Sequence, residues 1–331
     1  MNETITQIVH QIANAQRILA FCHVAPDGDA IGSLLALGYA LEKIERQMTL
    51  VCSDPVPESF AHLAGWNQIT QTPYPQDERF DLIISLDCSD LQRLGDAYDP
   101  DRLSGIPIIN IDHHVTNVSF GDINWIDTGA AATAQMLYTL INALDIPLDA
   151  TIAACLLNGI LTDTLGFRTA NTTADTMDVA VQLIRAGASL AELTDSVFHH
   201  RPMSVIKMWS AAMDDMHLQG RILWSQITQE MRQRVGYKEN GDSGLVSFFC
   251  AIDEADIAVV FDELDDGKIN VSMRAVPGYQ VSQVALALGG GGHPQAAGCT
   301  IPGPLAQARD KVLSMLRQTW DEQSRLKQAA G

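Results

Sequence analysis

Acids and histidines recur along this chain in places where they bear on chemistry. His23-Val24-Ala25-Pro26-Asp27-Gly28-Asp29 offers one imidazole and two carboxylates. Their spacing lets a short loop turn all three toward one cavity, with Gly28 relieving the crowding between them. Taken alone, a cap and turn account for Pro26, Asp27 and Gly28 without any cation. The same address recurs, however, because Asp87 closes FDLIISLD and Asp112-His113-His114 closes PIINID. In open α/β sheets ligands bind at that edge, where these groups must converge. So much negative charge within a few ångströms repels itself unless protons or cations join it. Two divalent metals fit such a donor set. Asp163, in Gly159-Ile160-Leu161-Thr162-Asp163-Thr164, follows an apolar helical pattern, and by itself also reads as a helix-end charge.

The elements that carry these residues show a βαβ rhythm. Apolar runs at 17–23 (RILAFCH), 48–52, 80–87 and 107–112 alternate with helical patterns such as 30–44. Runs so continuously apolar belong to parallel strands covered on both faces. The predicted fold class is therefore α/β, a doubly wound, mainly parallel sheet. Consecutive helices are predicted between about 131 and 216, with Asp149 as a cap before TIAACLLNGIL and Gly187 as a stop after VAVQLIRA. From Arg221 the pattern changes to RILWSQIT, ADIAVVFDEL and KINVSMRAV, with DDGK as a hairpin turn. A helix near 281–288, the run GGGGHPQAAGCTI and a helix from about Leu305 complete a smaller α+β domain with its own sheet. The expected boundaries are a first domain at 1–195, a helical linker at 196–218 and a second domain at 219–331. His199-His200-Arg201 falls in that linker; His199 and His200 are read as partly exposed surface and Arg201 as a minor candidate for substrate contact, while Met203, Met208, Met213 and Met216 are read as core filler.

At the motifs just quoted the chain resembles a known family. HVAPDGDAIGS, LDCSD, IDHHVTN and GILTDT match, in order and approximate spacing, the motifs of the DHH phosphoesterases, which cleave phosphate esters and anhydrides with two metal ions. GGGGHPQAAG matches the glycine-rich motif of the DHH-associated domain. The resemblance implies that His23 and Asp27 hold one metal, that Asp29, His113 and Asp163 hold the other, and that Asp87 bridges both. It implies that His114 faces the scissile phosphate, with Asp112 and Asp90 as orienting groups, so that His114, Asp112 and Asp87 carry the catalysis. Carboxylate and imidazole without thiolate suit Mn²⁺, with Mg²⁺ or Co²⁺ as substitutes; Cys22 and Cys88 adjoin the ligands but should point into the core. Such a metal pair holds a shared water as a bridging hydroxide and aims it at phosphorus. In the second domain Arg274, His293, Gly291 and Gly292 are the expected substrate contacts, a guanidinium fork being suited to phosphate. Ser272-Met273-Arg274-Ala275 stands where the family often has Ser-x-Arg-Ser, so any contact from the second serine is missing.

Composition narrows the function. Over 331 residues, 21 Lys and Arg against 40 Asp and Glu leave a net charge of −19, which disfavours a grip on long nucleic acid or an anionic membrane. The chain is 47% hydrophobic and 18% charged, too apolar for disorder. No basic end precedes an apolar run near the N-terminus, and the six cysteines form no C-x-x-C pair, which together suit reduced thiols in the cytoplasm. Neither a G-x-S-x-G elbow nor a Walker A sequence occurs. The expected activity is metal-dependent hydrolysis of very short oligoribonucleotides (nanoRNase) and of the 3′-phosphate of adenosine 3′,5′-bisphosphate (pAp). The alternatives are hydrolysis of cyclic di-AMP or linear di-adenylate, and, from another class, a non-catalytic nucleotide-binding regulator. Expected partners are short oligonucleotides and nucleotide phosphates, with no membrane and with a homodimer left open.

Overall fold

The computed structural model describes residues 3–71, 79–199, 202–238 and 241–330. It divides into two compact units, Met1–His200 and Arg201–Gly331. The first runs α1 (Glu3–Asn14), β1 (Arg17–Phe21), α2 (Gly28–Glu42), β2 (Gln47–Val51), β3 (Leu82–Leu86), β4 (Ile108–Asp112), β5 (Ile123–Ile126), α3 (Thr133–Ala143), α4 (Ala150–Asp163), α5 (Ala174–Arg185) and α6 (Leu190–Thr194). Its strands form a sheet in the order β2-β1-β3-β4-β5, every pairing parallel. All strand C-termini therefore share one edge. Ile18 and Ala20 of β1 and Ile84 and Leu86 of β3 join the core built with α1 to α4. Leu19, Phe21 and Ile83, one residue out of phase, pack against Leu94, Ala97 and Leu103 on the other face. This is the two-sided burial that the apolar runs predict. The short β5, which the sequence reading did not separate, sits at the edge with only Trp125 buried.

Two helices matter most for the site. Asp27 caps α2, its Oδ1 accepting from the N–H groups of Asp29 and Ala30 at 3.0 Å each. Asp149 caps α4 through Ile152 N–H at 3.0 Å, as expected. The two helices approach closely because glycines line the contact. A Cβ on Gly32 would lie 2.4 Å from the Cys155 carbonyl oxygen, and one on Gly28 would lie 2.3 Å from the Thr162 methyl. Gly28 thus makes room for α4, not for its own neighbours Asp27 and Asp29, which corrects the role assigned to it above.

The second unit comprises α7 (Met203–Asp214), β6 (His217–Gln219), β7 (Ile222–Ile227), α8 (Gln229–Val235), α9 (Leu245–Phe249), β8 (Ile257–Glu263), β9 (Lys268–Ala275), α10 (Ser282–Ala287), β10 (Gly291–His293), β11 (Ala296–Pro302) and α11 (Leu305–Ala330). The strand order is β10-β11-β9-β8-β7-β6, antiparallel except for β7 and β8. α10 and α11 cover one face, while α7 and α9 cover the other. DDGK turns between β8 and β9 as expected, with Gly267 at φ +78°. Of the segment read as a linker, α7 lends Val205, Met208 and Ala212 to the core of this unit. Met203 and Met216, read as core filler, are exposed, because Met203 opens α7 and Met216 lies past its end. His200 and Arg201 fall outside the described residues. Among the described residues no helix is long and apolar enough to cross a membrane.

Candidate metal centre

The C-terminal edge of the parallel sheet gathers the acids and histidines from four directions. His23 follows β1, Asp87 follows β3, Asp112 ends β4 with His113 and His114 after it, and Asp163 ends α4. Asp87 takes a left-handed backbone, φ +56°, a conformation that costs a non-glycine residue energy and that clusters at functional sites. Its two oxygens face opposite ways. Oδ2 lies 3.5 Å from His23 Nε2, which is also 3.7 Å from Asp27 Oδ2. Oδ1 lies 3.5 Å from His113 Nε2, which is 3.8 Å from Asp29 Oδ2 and 3.1 Å from Asp163 Oδ2. The result is two donor nests that share one carboxylate. Asp27 combines both of the roles open at the sequence level, since one oxygen caps α2 and the other faces His23.

Neighbouring groups fix each donor. His23 Nδ1 lies 2.7 Å from the Val24 carbonyl and His113 Nδ1 3.3 Å from that of Ala130, which directs each Nε2 into its nest. Asp29 is buried and accepts from Thr133 N–H at 2.6 Å, Ala134 N–H at 2.9 Å and Ser33 Oγ at 3.3 Å, so it also caps α3 from another element. Thr133 Oγ1 donates to Asp87 Oδ1 at 3.0 Å. Asp112 Oδ1 accepts from His114 Nδ1 at 2.7 Å, and its Oδ2 accepts from Asn117 Nδ2 at 2.5 Å. Asp90 Oδ1 caps the 3₁₀ segment Leu91–Ala97 through Gln92 and Arg93 N–H.

The electrostatics of the cluster are those of acids held together by protons. Burial alone would strip the proton from His23, yet Asp27 and Asp87 outweigh it and push the imidazole up to about 10. His113, likewise opposed by burial, is raised well above its usual range by Asp163 and Asp87. Burial disfavours the Asp87 carboxylate, but His113 and His23 hold it well below the usual range. Burial and then Asp87 drive Asp29 far up, and burial raises Asp163 despite His113. The donors fit a divalent cation in each nest. The fully buried Asp87 Oδ2 accepts no hydrogen bond among the described residues, an expense that a cation removes. Groups of three around Asp87 lie close enough to hold ions, and the nearby Cys22 and Cys88 are packed into apolar clusters, leaving oxygen and nitrogen donors only.

Comparison with known proteins agrees with this geometry. Residues 17–160 match the model of the DHH family, N-terminal domain, and residues 232–322 match the DHHA1 domain. The bifunctional oligoribonuclease and PAP phosphatase NrnA of Thermus thermophilus is 36% identical over 305 residues, covering 89% of this chain and 88% of its own. The chain belongs to the DHH family. The Bacillus subtilis protein of the same name is 27% identical over 89% of this chain and 93% of its own. The crystal structure of an exopolyphosphatase-related protein from Bacteroides fragilis shares the fold of this DHH chain, with a TM-score of 0.86, 23% identity, and coverage of 99% and 98% of the two chains.

In the DHHA1 part, Arg274 lies on β9 with Nη1 donating to the Met273 carbonyl at 3.0 Å, and its buried Nε has no hydrogen-bond partner among the described residues. His293 ends β10. The glycines before it serve close approach to β11: a Cβ on Gly290 would lie 2.1 Å from the Gly298 carbonyl oxygen, and one on Gly292 2.5 Å from that of Ala296. Gly291 pairs with Gly298 in the same hairpin. Sequence reasoning assigned no role to Thr133, Ser33, Asn117 or Gly159, although Ser33, Asn117 and Gly159 lie inside the quoted motifs; a Cβ on Gly159 would lie 2.5 Å from Asp29 Oδ1.

Proposed function

We propose that this chain is a metal-dependent phosphoesterase that hydrolyses very short oligoribonucleotides and removes the 3′-phosphate of pAp. The division of the Asp87 carboxylate between two nests carries this reading. His23, Asp27 and Asp87 would hold one cation and Asp29, Asp87, His113 and Asp163 the other, Mn²⁺ first with Mg²⁺ or Co²⁺ as substitutes; bound there, the ions supply Lewis acidity at the phosphoryl oxygens and lower the pKa of water.

The chain's own residues do the rest. His114 commits Nδ1 to Asp112, so Nε2 is the nitrogen that holds or hands over a proton at the phosphate. Asp112, braced by Asn117, keeps that tautomer. Thr133 steadies Asp87. The buried Asp29 orients its nest through the N-terminus of α3, where peptide dipoles favour its charge. Arg274, His293, Gly291 and Gly292 are proposed to hold the rest of the substrate, supported by the DHHA1 match and by the partnerless Arg274 Nε. The activities for which the NrnA relatives are named support the substrate class, and the spacing of the six cysteines, without a C-x-x-C pair, supports a cytoplasmic location.

The test is a comparison of kcat/KM for pAp, di- to pentaribonucleotides, cyclic di-AMP, linear di-adenylate, pyrophosphate and a long single strand, with Mn²⁺ present. Short oligoribonucleotides and pAp should lead. Preference for the long strand, or for a cyclic dinucleotide over both, would overturn the assignment.

A further inference from the structure

Outside the donor set, one polar chain of contacts reaches the turn that carries Asp27 and Asp29. Asn158 is completely buried in α4. Its Nδ2 donates to the Gly28 carbonyl at 3.1 Å, and its Oδ1 faces His62 Nε2 at 2.9 Å. The other ring nitrogen, His62 Nδ1, lies 2.9 Å from the Ser59 carbonyl. His62 belongs to the loop between β2 and β3 and is only half-buried. It therefore reaches from a surface loop to a fully buried amide 96 residues away in sequence.

Gly28 is the peptide between the two nests. Asp27 before it faces His23, and Asp29 after it faces His113. Gly28 also packs without a Cβ against Thr162, whose neighbour Asp163 is the donor at the end of α4. The Asn158 bond thus ties the backbone carrying two donors to the helix carrying a third. The amide can hold Gly28 with its nitrogen only while something else satisfies its buried oxygen. His62 is that partner. Without it, the amide has an unsatisfied oxygen in the core and must rotate or draw in water, and either response gives up the Gly28 carbonyl.

We propose that His62 is a positioning residue for the metal centre, acting through Asn158 to fix the Gly28 peptide and with it the directions of Asp27, Asp29 and Asp163. This rests on the two-nest assignment above. Groups that orient metal ligands from behind are worth about 10–100-fold in metal affinity; His62 acts one residue further out, so about tenfold is expected.

The experiment is calorimetric titration of the full-length, ion-stripped protein with Mn²⁺, beside far-UV circular dichroism and thermal melts, for wild type, His62→Ala, His62→Phe and His62→Gln. His62→Phe keeps the ring volume but cannot donate to Asn158 Oδ1, so it serves if His62→Ala does not fold. Folded His62→Phe or His62→Ala should bind Mn²⁺ about tenfold more weakly, and His62→Gln, whose amide can still donate to Asn158, should recover most of the loss. A merely structural role would lower the melting temperature while leaving Mn²⁺ affinity unchanged in the folded variants, and that result overturns the proposal. If wild type itself binds no Mn²⁺, the two-nest assignment has failed instead.

Discussion

Loading the ion-free protein with Mn²⁺ at a series of pH values should release protons, because His23 and His113 then hold protons where the proposed cations would bind. His23 is raised to about 10 by Asp27 and Asp87 against the effect of burial, and His113 is raised well above its ordinary value. Throughout pH 6.5–8, then, His23 carries a proton that a metal ion must displace, and the upward shift of His113 acts in the same direction in the other nest. The sign follows: below the folded-state pKa of His23, every unit of rising pH should strengthen binding in its nest about tenfold, or roughly 1.4 kcal/mol. The same shift bears on stability. A raised imidazole stabilises the ion-free fold fully below the unfolded value of about 6.5, and that stabilisation is lost as pH climbs toward about 10. Calorimetry in buffers of different ionisation enthalpy measures the protons released per ion directly; about one is expected from the His23 nest, and the raised Asp29 and Asp163 add to the release from the His113 nest. Mn²⁺ binding that releases no protons, with an affinity flat from pH 6.5 to 8, would refute this electrostatic picture.

Three further outcomes follow. Gly159→Ala places a methyl 2.5 Å from Asp29 Oδ1 and 2.7 Å from the Ala134 side chain; overpacking of this kind costs about 1–3 kcal/mol, so chemical denaturation should show lower stability and calorimetry weaker Mn²⁺ binding, and wild-type values for both would contradict the packing described. Asp112→Asn leaves an amide that cannot accept from both His114 Nδ1 and Asn117 Nδ2 and removes the charge that favours the His114 tautomer, so it should lower kcat by about 10²-fold or more while metal analysis finds the ion content unchanged. Arg274→Ala and His293→Ala should likewise keep their metal yet lower kcat/KM for pAp and dinucleotides, and unchanged kinetics in both would remove the DHHA1 part from substrate binding.

How far the site could be read from sequence depended on whether its signals were local. The apolar runs that stop at Asp87 and Asp112 gave away both the parallel sheet and the edge where the donors meet, because a buried strand ending in an acid is costly unless something at its end needs the charge. Asp27 was legible as a cap, which it is, and its other oxygen faces His23 as the proposed ligand role requires. The second duty of Asp29, capping α3 through Thr133 and Ala134, lay more than a hundred residues away and left no trace in its own motif. Gly28 looked like relief for its neighbours, whereas its partner is Thr162 on another helix. Asp90, whose orienting role came only from the family resemblance, spends one carboxylate oxygen on the next turn. β5 escaped because an edge strand with one buried residue carries too little alternation to stand out, and α8 and α9 because each is only one or two turns long.

The shared carboxylate is most directly tested by Asp87→Ala. Mn²⁺ stoichiometry and turnover of a diribonucleotide should be measured on wild type and variant, with circular dichroism to verify the fold. Wild type should bind two ions per chain and lose activity in excess chelator. The folded variant should lose at least one ion and fall below detectable turnover. Full turnover by Asp87→Ala, or by wild type in excess chelator, would contradict a phosphoesterase built on two cations joined through Asp87.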